Sequence, residues 1–192
     1  MKHTPEFDLY LIQCGIADGD EQALKKLYEH YANKLFHFAF MIIHSKELAE
    51  EIVEDVLIKI WNKRKAITDI ENFNMYLYVT TKNISCNYLR KKNKKKEIDL
   101  NEVSLPYYNV SATPEELMIT SETLSKINHV INELPPKCRM IFKLVKEDGL
   151  KHREVAELLD VSMKTVENQI GIALKKIHAA ITVYLPQSLR SL

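Results

Sequence analysis

From Phe7 to Trp61 apolar positions recur at steps of three and four, as in Ala23, Leu27, Tyr31 and Leu35 and again in Ile52, Val56 and Ile60. That spacing keeps one face of a 3.6-residue helix apolar and predicts amphipathic helices. The segment HSKELAEEIVEDVLIKIW carries its own start signal. Ser45 can accept from the first free amides, and the acidic residues after it suit the positive end of the helix dipole. A helix from Ser45 or Lys46 to Asn62 is expected. After the short polar stretch KRKAITDIEN the pattern resumes over FNMYLYVTTKNISCNYLR, Phe73 to Arg90, and predicts a third long helix despite its β-branched residues. No proline lies between Pro5 and Pro106, so nothing in the backbone interrupts long helices there.

Between Lys96 and Thr120 the periodicity stops, and two prolines appear among several Ser, Asn and Thr. This predicts a flexible linker over 97–120 between a first domain, 1–96, and a second, 121–192. The second domain opens with Leu124, Ile127, Val130, Ile131 and Leu134, breaks at Pro135 and Pro136, and resumes in CRMIFKLVKEDG. Then comes GLKHREVAELLDVSMKTVENQIGIALKKIH, Gly149 to His178. A short helix there turns Val155, Leu158 and Leu159 inward. LDV makes the corner, and Ser162 caps a longer helix carrying Val166, Ile170, Ala173, Leu174 and Ile177. Small Ala156 sits where the two helices approach, and Val161 can plug the corner. Asp160 stands where the chain needs a left-handed backbone, which Asp and Asn tolerate best after Gly. The plan is a helix-turn-helix in an all-α, two-domain protein.

Charge changes the picture, because a DNA-reading motif sits in a chain of net charge only +1. The near-neutral total conceals polarity. Asp18, Asp20, Glu21, Glu47, Glu50, Glu51, Glu54 and Asp55 crowd the first sixty residues, whereas YLRKKNKKK, preceded by Lys82, has no acid until Glu97. A basic run alone is usually a solvated face. Here it follows Phe73, Tyr76, Tyr78 and Tyr88, aromatics that suit either a core or unstacked bases. In the second domain Met163, Lys164, Thr165, Glu167, Asn168 and Gln169 face outward from the longer helix. Asn168 or Gln169 matches adenine, Glu167 matches cytosine, and Lys151, Arg153, Lys164, Lys175 and Lys176 match phosphates. The plain alternative is a helical hairpin that packs on another helix.

Other chemistry is sparse. Cys14, Cys86 and Cys138 are far apart and odd in number, which reads as reduced, half-buried thiols. His30, His37 and His44 recur every seven residues, about 10 Å apart on a helix and too far to share a metal. No Ser-His-Asp grouping, P-loop, Gly-rich nucleotide turn or metal spacing occurs, so neither an enzyme nor a cofactor is expected. The absence of a long apolar span or secretory leader predicts a cytoplasmic protein with no membrane insertion.

Taken together, GDEQALKKLYEHYANKLF, AEEIVEDVLIKIWNKRKAITDIENFNMYLYVTTKNISCNYLRKKNKK and INELPPKCRMIFKLVKEDGLKHREVAELLDVSMKTVENQI resemble regions two and four of an extracytoplasmic-function sigma factor. The resemblance covers nearly the whole chain, with two unrelated motif sets in the right order. It implies a non-catalytic subunit that binds core RNA polymerase, directs it to promoter DNA and helps melt the minus-ten element. By resemblance, Glu51, Glu54, Asp55 and Ile58 dock on the clamp coiled coil of the largest polymerase subunit, with Glu54 where the family commonly has Gln. Lys59, Lys63, Ile67 and Asn83 correspond to the element that traps a flipped minus-ten base, Asn83 reading its edge. Lys82, Asn87, Arg90, Lys91 and Lys92 hold the adjoining backbone. Tyr76 and Val79 stand where many relatives have Trp and Arg. Lys151, Arg153, Met163, Lys164, Thr165, Glu167, Asn168, Gln169 and Lys175 meet the minus-thirty-five element, with Arg common in relatives near Glu167 and Gln169. The resemblance also implies an anti-sigma factor. The competing reading is a free-standing helix-turn-helix regulator, which would need a dimer and paired half-sites. The basic aromatic helix of the first domain speaks against it.

Overall fold

The computed structural model describes residues 7–92 and 127–184, and every regular element among them is helical. The predicted linker over 97–120 and Leu124 lie outside the described residues. The chain divides into two compact units, Met1–Leu100 and Asn101–Leu192.

The first unit contains α1 (Leu9–Ala17), α2 (Glu21–Ile43), α3 (Lys46–Asn62), a 3-10 turn (Arg64–Asp69) and α4 (Phe73–Lys92). Short polar side chains start these helices by accepting otherwise unpaired amides. Asp8 accepts from Tyr10 and Leu11, Asp20 from Gln22, Ser45 from Leu48, and Asn72 from Met75. The predicted helix beginning at Ser45 or Lys46 is therefore present, with Ser45 as its cap. His44 ends α2 in the left-handed conformation, φ 54°, its amide bonded to Phe40 O at 3.0 Å. Gly15 lets α1 and α2 approach closely, since a Cβ there would meet the Ala23 Cβ at 2.8 Å.

Ile16, Leu27, Leu35, Phe38, Ile52, Ile60, Leu77 and Tyr78 form the interior of this unit. Thr81 and Ser85 are buried on α4, yet their hydroxyls donate to Leu77 O and Thr81 O, each at 2.8 Å. This back-bonding satisfies the polar atoms within the helix itself. It is how α4 accommodates Thr81 and Ser85 in the interior.

The second unit contains a helix whose described part is 127–132 (α5), followed by α6 (Pro136–Lys146), α7 (His152–Leu159) and α8 (Met163–Tyr184). Pro136 occupies the first turn of α6, where its missing amide costs nothing. After α6, Gly149 takes φ 76° and Leu150 donates to Leu144 O at 2.9 Å, tucking the Leu150 side chain into the core. Cys138, Ile141, Leu144, Val155, Leu158, Val166 and Ala173 complete that core. The Cys138 Sγ donates to Gln169 O at 3.3 Å and ties α6 to α8. The expectation of three half-buried thiols thus holds for Cys14 and Cys86, whereas Cys138 is fully buried.

Candidate nucleic-acid and partner interfaces

Along α3, Ala49, Ile52, Val53, Val56 and Ile60 face the core. The helical period therefore turns Glu47, Glu50, Glu51, Glu54 and Ile58 toward solvent, with Asp55 half-buried beside them. Ile58 is 58% exposed, an apolar spot at the end of an acidic stripe. The stripe is partly fixed from α4, which runs antiparallel to α3. Tyr88 Oη donates to Glu51 Oε1 at 2.7 Å and approaches Asp55 Oδ2 at 3.0 Å. The Glu51 bond, burial and the Asp55 bond, in that order, raise the phenol above the ordinary tyrosine range, so it stays a donor.

The turn after α3 packs against α1 and the end of α3. Arg64 lies over the Trp61 ring at 5.0 Å and donates to Trp61 O at 3.1 Å. Asn62, Lys63, Arg64, Lys65 and Ala66 line an open depression of about 440 Å³. Lys63 is exposed and Lys59, one turn earlier, is half-exposed. Ile67, named with them by resemblance, lies beneath the surface. Its side chain is 0% exposed and packs in the core, where it supports the loop from beneath.

On α4, Asn83, Asn87, Arg90 and Lys91 are exposed at steps of four, three and one, forming one polar and basic stripe. Arg90 donates to Asn87 Oδ1 at 3.4 Å, and Lys91 lies 5.8 Å from the Tyr88 ring centre. Of Lys92 only the helical backbone is described. Core packing accounts for two of the aromatics, since Phe73 and Tyr78 are buried. Tyr76 stays half-exposed, stacked on Phe73 at 6.2 Å, and Tyr88 engages α3. Asn83 lies ten residues along α4 from Phe73, or about 15 Å of helix. Sequence reasoning missed the part played by Tyr88, because its partners are 33 and 37 residues away.

In the second unit the helix-turn-helix has the expected corner. Asp160 is left-handed at φ 54°, ψ 51°, and Val161 donates to Ala156 O at 2.9 Å. Glu154 accepts from the Lys151 amide at 2.8 Å at the start of α7, and Ser162 accepts from Thr165 at 3.0 Å at the start of α8. Met163, Lys164, Glu167 and Asn168 are exposed on the first turns of α8, and Thr165 and Gln169 are half-exposed. Lys164 and Glu167 pair at 3.7 Å, so this acid offsets the nearest base. Lys151, Arg153, Lys175 and Lys176 are exposed around the same motif. Leu174 does not face inward as expected; it is 47% exposed. Val166, Ile170, Ala173 and Ile177 already follow the buried period, and Leu174 falls about 100° from Ala173 on the helix.

His30, His37 and His44 have separate local surroundings. His30 stacks on Phe7 at 3.6 Å, His37 meets the edge of Phe36, and His44 closes α2.

These surfaces lie in segments with recognisable relatives. Residues 27–95 match the family model for Sigma-70 region 2, and residues 124–177 match that for Sigma-70, region 4. Together the two matches span more than half the chain. Over 162 residues it is 24% identical to the ECF RNA polymerase sigma factor SigW of Bacillus subtilis (strain 168), covering 81% of this chain and 87% of that protein. Among solved structures it is similar to CnrH in complex with the cytosolic domain of CnrY, with TM-score 0.53, 17% identity, and coverage of 92% of this chain and 99% of that one. It is also similar to the sigma factor RpoE in complex with the anti-sigma factor NepR from Bartonella quintana, with TM-score 0.53, 18% identity, and coverage of 83% and 96%. At those identities the structural likeness is one of fold. The chain belongs to the sigma-70 family of RNA polymerase sigma factors, within its extracytoplasmic-function group. No described helix is long and apolar enough to cross a membrane.

Proposed function

We propose that this sigma factor docks on core RNA polymerase through the α3 stripe of Glu51, Glu54, Asp55 and Ile58, and places promoter DNA against two separate reading surfaces. The observation that carries this reading is the separation of charge within the first unit. An acidic stripe with an exposed Ile58 lies on α3, and a polar and basic stripe from Asn83 to Lys91 lies on α4. The acidic face suits a protein and repels DNA; the basic face suits the phosphate backbone. A chain of net charge +1 gains little from counterion release by itself. The polymerase supplies the nonspecific grip, and sequence reading stays with the sigma subunit.

In this mechanism α7 and α8 read the minus-thirty-five duplex. Met163, Lys164, Thr165, Glu167, Asn168 and Gln169 face the bases, and Lys151, Arg153 and Lys175 face the phosphates. The 3-10 turn with Lys59 and Lys63, supported by Ile67, meets the minus-ten strand together with Asn83. Flipping one base costs a few kcal/mol of stacking, which contacts to the extruded base must offset. Asn87, Arg90, Lys91 and Lys92 hold the adjoining backbone. The chain performs no catalysis itself. Because its structural relatives CnrH and RpoE were solved with CnrY and an anti-sigma factor, the reading includes an anti-sigma partner that restrains the free protein.

The deciding experiment measures binding of labelled protein to purified bacterial core RNA polymerase, with Glu54→Lys and Asp55→Lys as controls. Tight binding weakened by both reversals is expected. With the resulting holoenzyme, Asn83→Ala should lose promoter melting and Asn168→Ala should lose upstream recognition. Absence of binding to core enzyme would overturn the proposal and favour a free-standing regulator.

A further inference from the structure

The 3-10 turn has two unlike sides. Lys63, Lys65 and Ala66 are exposed, and with Asn62 and Arg64 they line the open depression. The other side is held from within. Ile67 is fully buried, and the carbonyls of Ile67 and Ile70 both receive hydrogen bonds from the amide nitrogen of Gln13, the Ile70 bond at 3.0 Å. Gln13 is only 4% exposed and lies 54 and 57 residues from these acceptors, on α1.

A 3-10 turn of six residues is longer than such turns usually run, and carbonyls near its end have few partners in their own helix, Ile67 O accepting only the Ile70 amide at 3.1 Å from the adjoining backbone. The Gln13 Nε2 carries two hydrogens, enough to serve both carbonyls at once. Those carbonyls flank Asp69, where the chain leaves the turn and becomes extended at Ile70, φ −89° and ψ 105°. Holding both ends of that short span sets the path of the turn from below while its cationic face stays open. The Sigma-70 region 2 match begins at residue 27, so this support comes from a helix outside the matched segment.

We infer that Gln13 is a positioning residue for promoter opening, holding the turn after α3 in the shape that receives the minus-ten strand. The inference rests on the proposed role of that turn. A loop already ordered before DNA arrives does not have to be ordered at the moment of binding, and that saving appears as faster or tighter engagement. Removing the donor takes one partner from each carbonyl, leaving Ile67 O with only the Ile70 amide at 3.1 Å, and replacements come only if the turn moves toward water.

Gln13→Met keeps the side-chain length and loses the donor; Gln13→Asn keeps the donor and shortens the reach. Lys63, Arg64 and Lys65 make the turn a cluster of trypsin sites. Native-state trypsin cleavage there should accelerate about tenfold in Gln13→Met. Holoenzyme with that variant should open a promoter containing 2-aminopurine in its minus-ten strand about tenfold more slowly. Its affinity for core polymerase, set by α3 at a distance, should stay within about twofold of wild type. Gln13→Asn should fall between the two in both cleavage and opening, and it carries the test if Gln13→Met does not fold. Cleavage and opening at wild-type rates would overturn the inference, as would core affinity falling in step with opening. If wild type binds core enzyme but opens no promoter, the assigned role of the turn fails and the inference fails with it. Normal opening with unchanged cleavage would defeat the role of Gln13 alone.

Discussion

Replacing Tyr88 by Phe removes one oxygen and leaves the ring in place. The lost phenol donates to Glu51 at 2.7 Å and lies 3.0 Å from Asp55, linking α4 to the acidic stripe of α3. A hydrogen bond to a charged acceptor contributes about 1.5–3 kcal/mol when buried. Glu51 is exposed and Asp55 half-buried, so solvent screening reduces this to about 1 kcal/mol. For a unit of this size 1 kcal/mol corresponds to a fall of about 4–8 °C in Tm. Trp61 is the only tryptophan and lies at the end of α3, so its fluorescence follows the first unit. The same substitution should weaken core polymerase binding by about two- to fivefold, because Glu51 and Asp55 lose a fixed orientation. The pH dependence has a defined sign. In the unfolded chain the phenol ionises near about pH 10, while the folded protein holds its proton to higher pH. The stabilisation is therefore complete below that pH and declines as pH rises beyond it, a decline Tyr88→Phe should lack. A Trp61 midpoint unchanged within about 1 °C, with unchanged core affinity, would refute the reasoning.

Gly15→Ala should destabilise the first unit by about 1–3 kcal/mol, read from the same fluorescence, because the new Cβ meets Ala23 at 2.8 Å. Asp160→Gly should stabilise the second unit by about 0.5 kcal/mol. Relief of a left-handed L-residue exceeds the added chain entropy of glycine, and urea unfolding followed by circular dichroism would register the change. In native protein at neutral pH, iodoacetamide should label Cys14 and Cys86 well before Cys138. Burial both shields the Cys138 thiol and pushes its pKa up; equal labelling rates by peptide mass mapping would contradict this.

The α3 start was legible because its signals are local. Ser45 reaches an amide three residues on, and the inward series from Ala49 to Ile60 repeats with the helix. The Asp160 corner was legible for the same reason, since few residues other than Gly adopt its backbone angles readily. The burial of Ile67 was not legible, because it was named by resemblance alone and lies in a 3-10 turn, where no 3.6-residue period says which side faces inward. Leu174 was misplaced because it follows Ala173 directly in an apolar run. Ala173 is fully buried while Leu174 lies exposed, although hydrophobicity alone favours the larger residue.

By itself, then, the sequence determined where helices begin, which stripe of each is apolar and where charge of each sign collects. Those properties depend on backbone sterics, capping and side-chain spacing within a few residues. Only the tertiary structure decided that Tyr88 steadies Glu51 and Asp55, and that Gln13 holds Ile67 and Ile70. Such pairs form only after helices far apart in sequence have packed. Their geometry depends on helix rotation and approach, which the turns and interior volume set together.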